Sequence, residues 1–118
     1  MNGDRRMAKK VTVTDPTTKQ DYIIEFDRDS VVYAESIGFD VTKAATAYAT
    51  DMVTLFRAGF HKNHPFVSKE VVYGIWDRVK DKQGLFGLLM DMFMVPYNAL
   101  VEEPKDGDKG NVTWEATE

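Results

Sequence analysis

The chain has 118 residues, is 43% hydrophobic and 29% charged, and carries a net charge of -4. That length and composition predict one globular domain with a real core. The absence of cysteine excludes disulfides, thiol catalysis and cysteine-ligated metal sites, and the acidic balance argues against binding to a phosphate backbone.

Residues 1–9 lack periodicity and are expected to form a flexible, partly basic arm with Arg5, Arg6, Lys9 and Lys10. No secretory apolar run follows, because VTVTDPTTKQ interrupts it. Nor is any apolar stretch expected to reach the length of a membrane span. Lys10 to Phe26 reads as a β-hairpin: Val11 and Val13 alternate with threonines, and Tyr22, Ile24 and Phe26 alternate with Ile23 and Glu25. The segment Asp15–Gln20 between them carries turn chemistry.

Asp27 or Asp29 is expected to cap a short helix, SVVYAESI, that Gly38 closes. Phe39 then returns to the core. A long amphipathic helix is predicted over roughly 41–63. Ala45, Tyr48, Met52, Leu55 and Gly59 form one apolar row, and Ala49, Val53, Phe56 and Phe60 a second. Lys43, Thr50, Thr54, Arg57 and His61 take the polar side. His64-Pro65 is the expected stop.

Ser68 caps a predicted third helix over roughly 69–81, with Val71, Val72, Ile75, Trp76 and Val79 as its stripe. Gln83-Gly84 is expected to break it. The last predicted helix, Leu85 to Val101, has Asp91 as its one charge before Tyr97 and is apolar on every side. Such a helix should be buried all round, with Pro96 kinking or interrupting it. Residues 104–118 are polar and glycine-containing and are expected to form a flexible tail, with Trp114 its odd member. The expected organisation is therefore an arm (1–9), a domain (10–103) and a tail (104–118). The expected fold is mainly α with a small N-terminal β-hairpin (α+β), a helical domain built around one long central helix.

The chain's two histidines are His61 and His64. As metal ligands they lack a third partner, and the favoured reading places them, with Lys62, as cations at the negative end of the long helix. The carboxylates are scattered, Gly84-x-x-Gly87 is too weak for a phosphate loop, and the serines lack an elbow context. No enzyme, cofactor or metal is expected. The strongest functional signal is the Met/Phe/Leu cluster. Half of that signal is explained by an ordinary core helix. The rest points to a partner-binding surface, because unbranched methionines repack against varied apolar partners. The candidate contact residues are Leu85, Leu88, Leu89, Met90, Met92, Phe93 and Met94, with Trp114 as a docking anchor in the tail.

The stretch KKVTVTDPTTKQDYIIEFDRDSVVYAESIGFD resembles the start of a family of small tail assembly chaperones of long-tailed bacteriophages. LFRAGFHKNHP and VPYNAL extend that resemblance over roughly residues 8–103. It implies a mainly α-helical protein that coats the long, apolar tape measure protein during tail assembly and helps deliver tail tube protein. It also implies a place in the bacterial host's cytoplasm and absence from the mature virion. The partners expected are thus the tape measure and tail tube proteins, with self-association besides, and neither nucleic acid nor membrane. Two alternatives are a helical DNA-binding regulator that reads with Lys69, Arg78, Lys80 and Lys82, and a head–tail connector subunit that stays in the particle.

Overall fold

A computed structural model describes residues 9–46, 49–103 and 112–117. The mainly α, α+β architecture is as expected: a two-stranded antiparallel hairpin followed by helices. Strands β1 (Lys10–Thr14) and β2 (Asp21–Glu25) pair with Val11 opposite Ile24 and Val13 opposite Tyr22. The period of two therefore puts Val11, Val13, Tyr22 and Ile24 on one face, where Tyr22 and Ile24 are buried. In the turn, Thr17 N–H donates to Asp15 Oδ1 at 2.8 Å, and Lys19 takes a left-handed conformation with φ 66°.

Helix α1 (Arg28–Ser36) begins at Asp27, whose carboxylate accepts from Ser30 N–H while Ser30 Oγ accepts from Asp27 N–H. Its end is a Schellman turn. Gly38, at φ 102°, donates to Glu35 O and Phe39 N–H to Ala34 O. That turn drives Phe39 into the core at 3% exposure.

The predicted long central helix is not one α-helix. Val41–Thr46 form a 3-10 helix, and α2 spans Ala49–Ala58. Beyond it, residues 59–63 are turns. Tyr48 and the side chains of residues 44–46 lie outside what is described, as do residues 1–8 of the expected arm and residues 104–111 and 118 of the expected tail. Within α2 the apolar rows hold at Met52, Leu55 and Phe56, which are buried, and at Val53, which is half-buried, but Ala49 is exposed. Asp51 is also buried; among the described residues nothing bonds its Oδ2.

Helix α3 (Lys69–Asp77) starts at Ser68 as expected, whose Oγ accepts from Val71 N–H, but it stops four residues early. Asp81 explains this. It adopts φ 55° and caps the next helix through Gly84 N–H, so Gln83-Gly84 begins a helix rather than breaking one. Gly84 leaves room for that carboxylate. Helix α4 (Lys82–Val101) is the longest element and runs through Pro96 without interruption. Proline there has no N–H to give to the carbonyl four residues before it.

Aromatic rings tie these parts together. Tyr22 meets Phe60, Phe60 meets Phe56, and Phe56 meets Trp76, with centroids 5.4, 5.1 and 5.0 Å apart. Phe93 of α4 takes edge contacts from Phe26 and Phe39 at 5.8 and 5.1 Å. The hairpin, α1, α2, α3 and α4 thus share one core.

Candidate protein-binding surface

The expectation that α4 is buried on every side is wrong. It buries Phe86, Leu89, Met92 and Phe93, which lie within one broad face at 100° per residue. Leu89 and Phe93 are wholly inaccessible and Met92 is 6% exposed. These three candidate contact residues are therefore withdrawn from any partner, because the core already holds them. Leu85, Leu88, Met90 and Met94 are half-buried at the margins of that face and remain reachable. The sequence reading missed the last turns, where Val95, Leu100 and Val101 are 72%, 44% and 63% exposed.

The reachable residues form two flanks. Leu88 and Val95, seven residues apart, share one, with Ala99 beside them. Met90, Met94 and Val101 share the other. Exposed Gly87 and Asp91 lie between. Exposed apolar side chains at helical spacing, broken by a single carboxylate, are suited to a second helix laid across them. The same helix corrects another expectation: with 20 residues and a mean hydropathy of 1.4, it is long and apolar enough to cross a membrane by length and composition. Its seat in the core through Phe93 gives it a folding role of its own.

Two further apolar residues stand out. Phe66, between α2 and α3, is 96% exposed, and Val32 on α1 is 60% exposed. Phe66 follows Pro65 in a short link between two helices, a signal that was readable as an aromatic with nothing local to pack on. Trp114 is 87% exposed.

The histidines pack on the hairpin and on α1. His64 Nε2 accepts the N–H of Ile23 at 2.9 Å and so serves the hairpin. It also packs edge-on to Tyr22 at 5.0 Å. His61 stacks on Tyr33 at 4.1 Å. Neighbouring groups finish the same edge: Gly59 O accepts from Glu25 N–H at 3.0 Å, and Asn63 Nδ2 reaches Glu25 Oε1 at 3.1 Å. Lys62 Nζ pairs with Glu25 at 2.9 Å. The Lys62 and Asn63 bonds hold the Glu25 carboxyl below its ordinary value and raise Lys62. Burial pushes the Asp27 carboxyl up, but the Ser30 backbone and hydroxyl bonds outweigh it, and the net direction is down.

Three of the four basic residues proposed to read DNA contact their own fold. Arg78 donates to Thr17 Oγ1, Lys82 lies over the Trp76 ring and bonds Val79 O, and Lys69 lies over Tyr73. Among the described residues no three His, Asp or Glu side chains gather as ligands for a metal. Grooves open among the described residues. One of about 460 Å³ lies between the Gly38–Thr42 corner and Tyr97, and one of about 240 Å³ between the hairpin turn and α3.

The fold defines a small α+β domain whose candidate site is an apolar helix flank. The chain belongs to the family described as "Domain of unknown function (DUF5055)", whose model matches residues 7–117 and so takes in the C-terminal segment as well as the body. No curated protein and no solved structure matches the chain.

Proposed function

We propose that the protein is a tail assembly chaperone of a long-tailed bacteriophage that binds amphipathic helical segments of the tape measure protein without covalent chemistry. The observation that carries this is α4. It is apolar on every side, yet only four of its residues are buried, which leaves Leu88, Met90, Met94, Val95, Leu100 and Val101 for a partner. A very long apolar client needs many weak, repeated contacts, which add through effective concentration. Flexible methionines beside β-branched residues suit such varied contacts. The resemblance in residues 8–103 supplies the class of client. The host's cytoplasm and absence from the finished particle follow from the same reading.

The test is co-expression with the tape measure protein. A soluble complex is expected, and Val95→Asp or Val101→Asp, at exposed positions, should release the client while leaving the fold unchanged. A client that stays insoluble, or a complex indifferent to both substitutions, would sink the proposal. Mass spectrometry of purified particles separates this reading from a connector subunit, since a chaperone should be missing there.

A further inference from the structure

We infer that residues 112–117 of a second copy of this chain add to the free edge of the hairpin as a third, antiparallel strand. The two edges of the sheet are unequal. That of β2 is covered, since Ile23 N–H goes to His64 and Glu25 N–H to Gly59. Because those two residues turn their backbone groups away from β1, the ladder bonds fall on Val11 with Ile24 and Val13 with Tyr22. Lys10, Thr12 and Thr14 therefore direct their N–H and C=O groups to the opposite edge. Among the described residues no backbone bond reaches that edge. An uncovered edge without proline or bulge is a template for another strand.

The segment VTWEAT has the matching pattern. Val112, Trp114 and Ala116 alternate with Thr113, Glu115 and Thr117, and all six are exposed. Val112 and Trp114 stand clear of their own chain at 86% and 87% exposure. Valine, threonine and tryptophan favour strands. Laid antiparallel with Val112 opposite Val13, the segment brings Thr113 opposite Thr12, Trp114 opposite Val11 and Glu115 opposite Lys10. Each is a stabilising cross-strand pair: aliphatic, hydroxyl, aromatic on β-branched, and opposite charge. Thr12 and Lys10 are also the positions whose backbone groups point outward, so hydrogen bonds and side chains agree on one register. A shift by one residue turns Trp114 to solvent. A parallel strand with Thr113 opposite Thr12 puts Glu115 opposite Thr14 and loses the ion pair.

A second copy is the donor because the segment lies off its own chain's body, while exchange between two copies covers both edges and closes a two-fold dimer. The family match contains both the edge and the segment. The proposal is independent of the chaperone reading and needs no client. Light scattering on the full chain should give twice the 13.4 kDa of one copy. Thr12→Pro, which removes a donor only from the outer edge, and Trp114→Asp, on an exposed side chain, should each give a folded monomer. Glu115→Lys should weaken the dimer about threefold, and Lys10→Glu in the same chain should restore it. A wild-type monomer overturns the proposal, including one whose Trp114 emission is blue-shifted by pairing within its own chain. So does a dimer that survives both Thr12→Pro and Trp114→Asp.

Discussion

Gly59 is where the turn after α2 meets the hairpin, and an alanine there has no space. Its Cβ would overlap Ile24 Cγ2 and come within 3.1 Å of Phe26 Cζ. Ile24 is wholly buried and has no free direction to yield. Overpacking of this kind costs about 1–3 kcal/mol. Any retreat of β2 also stretches the 3.0 Å bond from Glu25 N–H to Gly59 O, whose loss adds about 1 kcal/mol. Gly59→Ala should therefore destabilise by about 2–4 kcal/mol, a large share of the about 5–15 kcal/mol a domain possesses. Gly74, exposed on α3, is the matched control. Nothing lies within 4 Å of a Cβ built there, so Gly74→Ala should stabilise by about 0.5–1 kcal/mol through helix propensity alone. Urea unfolding followed by far-UV circular dichroism reads both. If Gly59→Ala unfolds within about 0.5 kcal/mol of the wild type, the close approach of turn and hairpin is not as described.

Further outcomes follow from the same contacts. His64→Ala leaves the half-buried Ile23 N–H without an acceptor and should cost about 1–2 kcal/mol. The direct readout is the Ile23 amide, slow to exchange in the wild type and fast in the variant. Asp27→Ala removes the cap of α1 and should cost about 1 kcal/mol by thermal unfolding, while Asp29→Ala, one turn position on, should cost little. Glu25 and Asp27 have carboxyls held below their ordinary values of 4.5 and 3.8. Folding thus favours their ionised forms, and the stability they contribute is complete above about pH 4.5 and lost as the pH falls through the depressed values. The urea midpoint should drop across that acid window, and Glu25→Gln with Asp27→Asn should flatten the drop.

Elements set by local chemistry were legible in the sequence. The alternation in β1 and β2, the Asp27 and Ser68 caps and the Gly38-Phe39 corner all depend on residues within a few positions of each other. The long helix was over-read because its apolar rows persist from Ala49 to Phe60, through the turn that follows α2. Periodicity reports which side chains are buried, and Gly59 and Phe60 are buried as turn residues. Asp81 was unreadable as a cap, since a left-handed aspartate gives no signal in composition. The candidate surface was legible in its location and not in its facing. All-round apolarity marked α4, but it could not tell Leu89 and Phe93, held by distant hairpin and α1 residues, from Val95. His64 was missed because its partner, Ile23, is 41 positions away.

That separation bears on the order in which the molecule folds. The edge of β2 is completed by Gly59, Lys62, Asn63 and His64, in contacts spanning 37 to 41 positions for the side-chain bonds. A two-stranded ribbon is marginal by itself, so a segment synthesised before the turn that completes it is among the last to become secure. Closing loops of that length delays the pairing until α2 and its turn are in place. The helices can form while the hairpin still samples other registers. A destabilising change in the turn at 59–64 should therefore speed the loss of the hairpin far more than it slows the collapse of the helices.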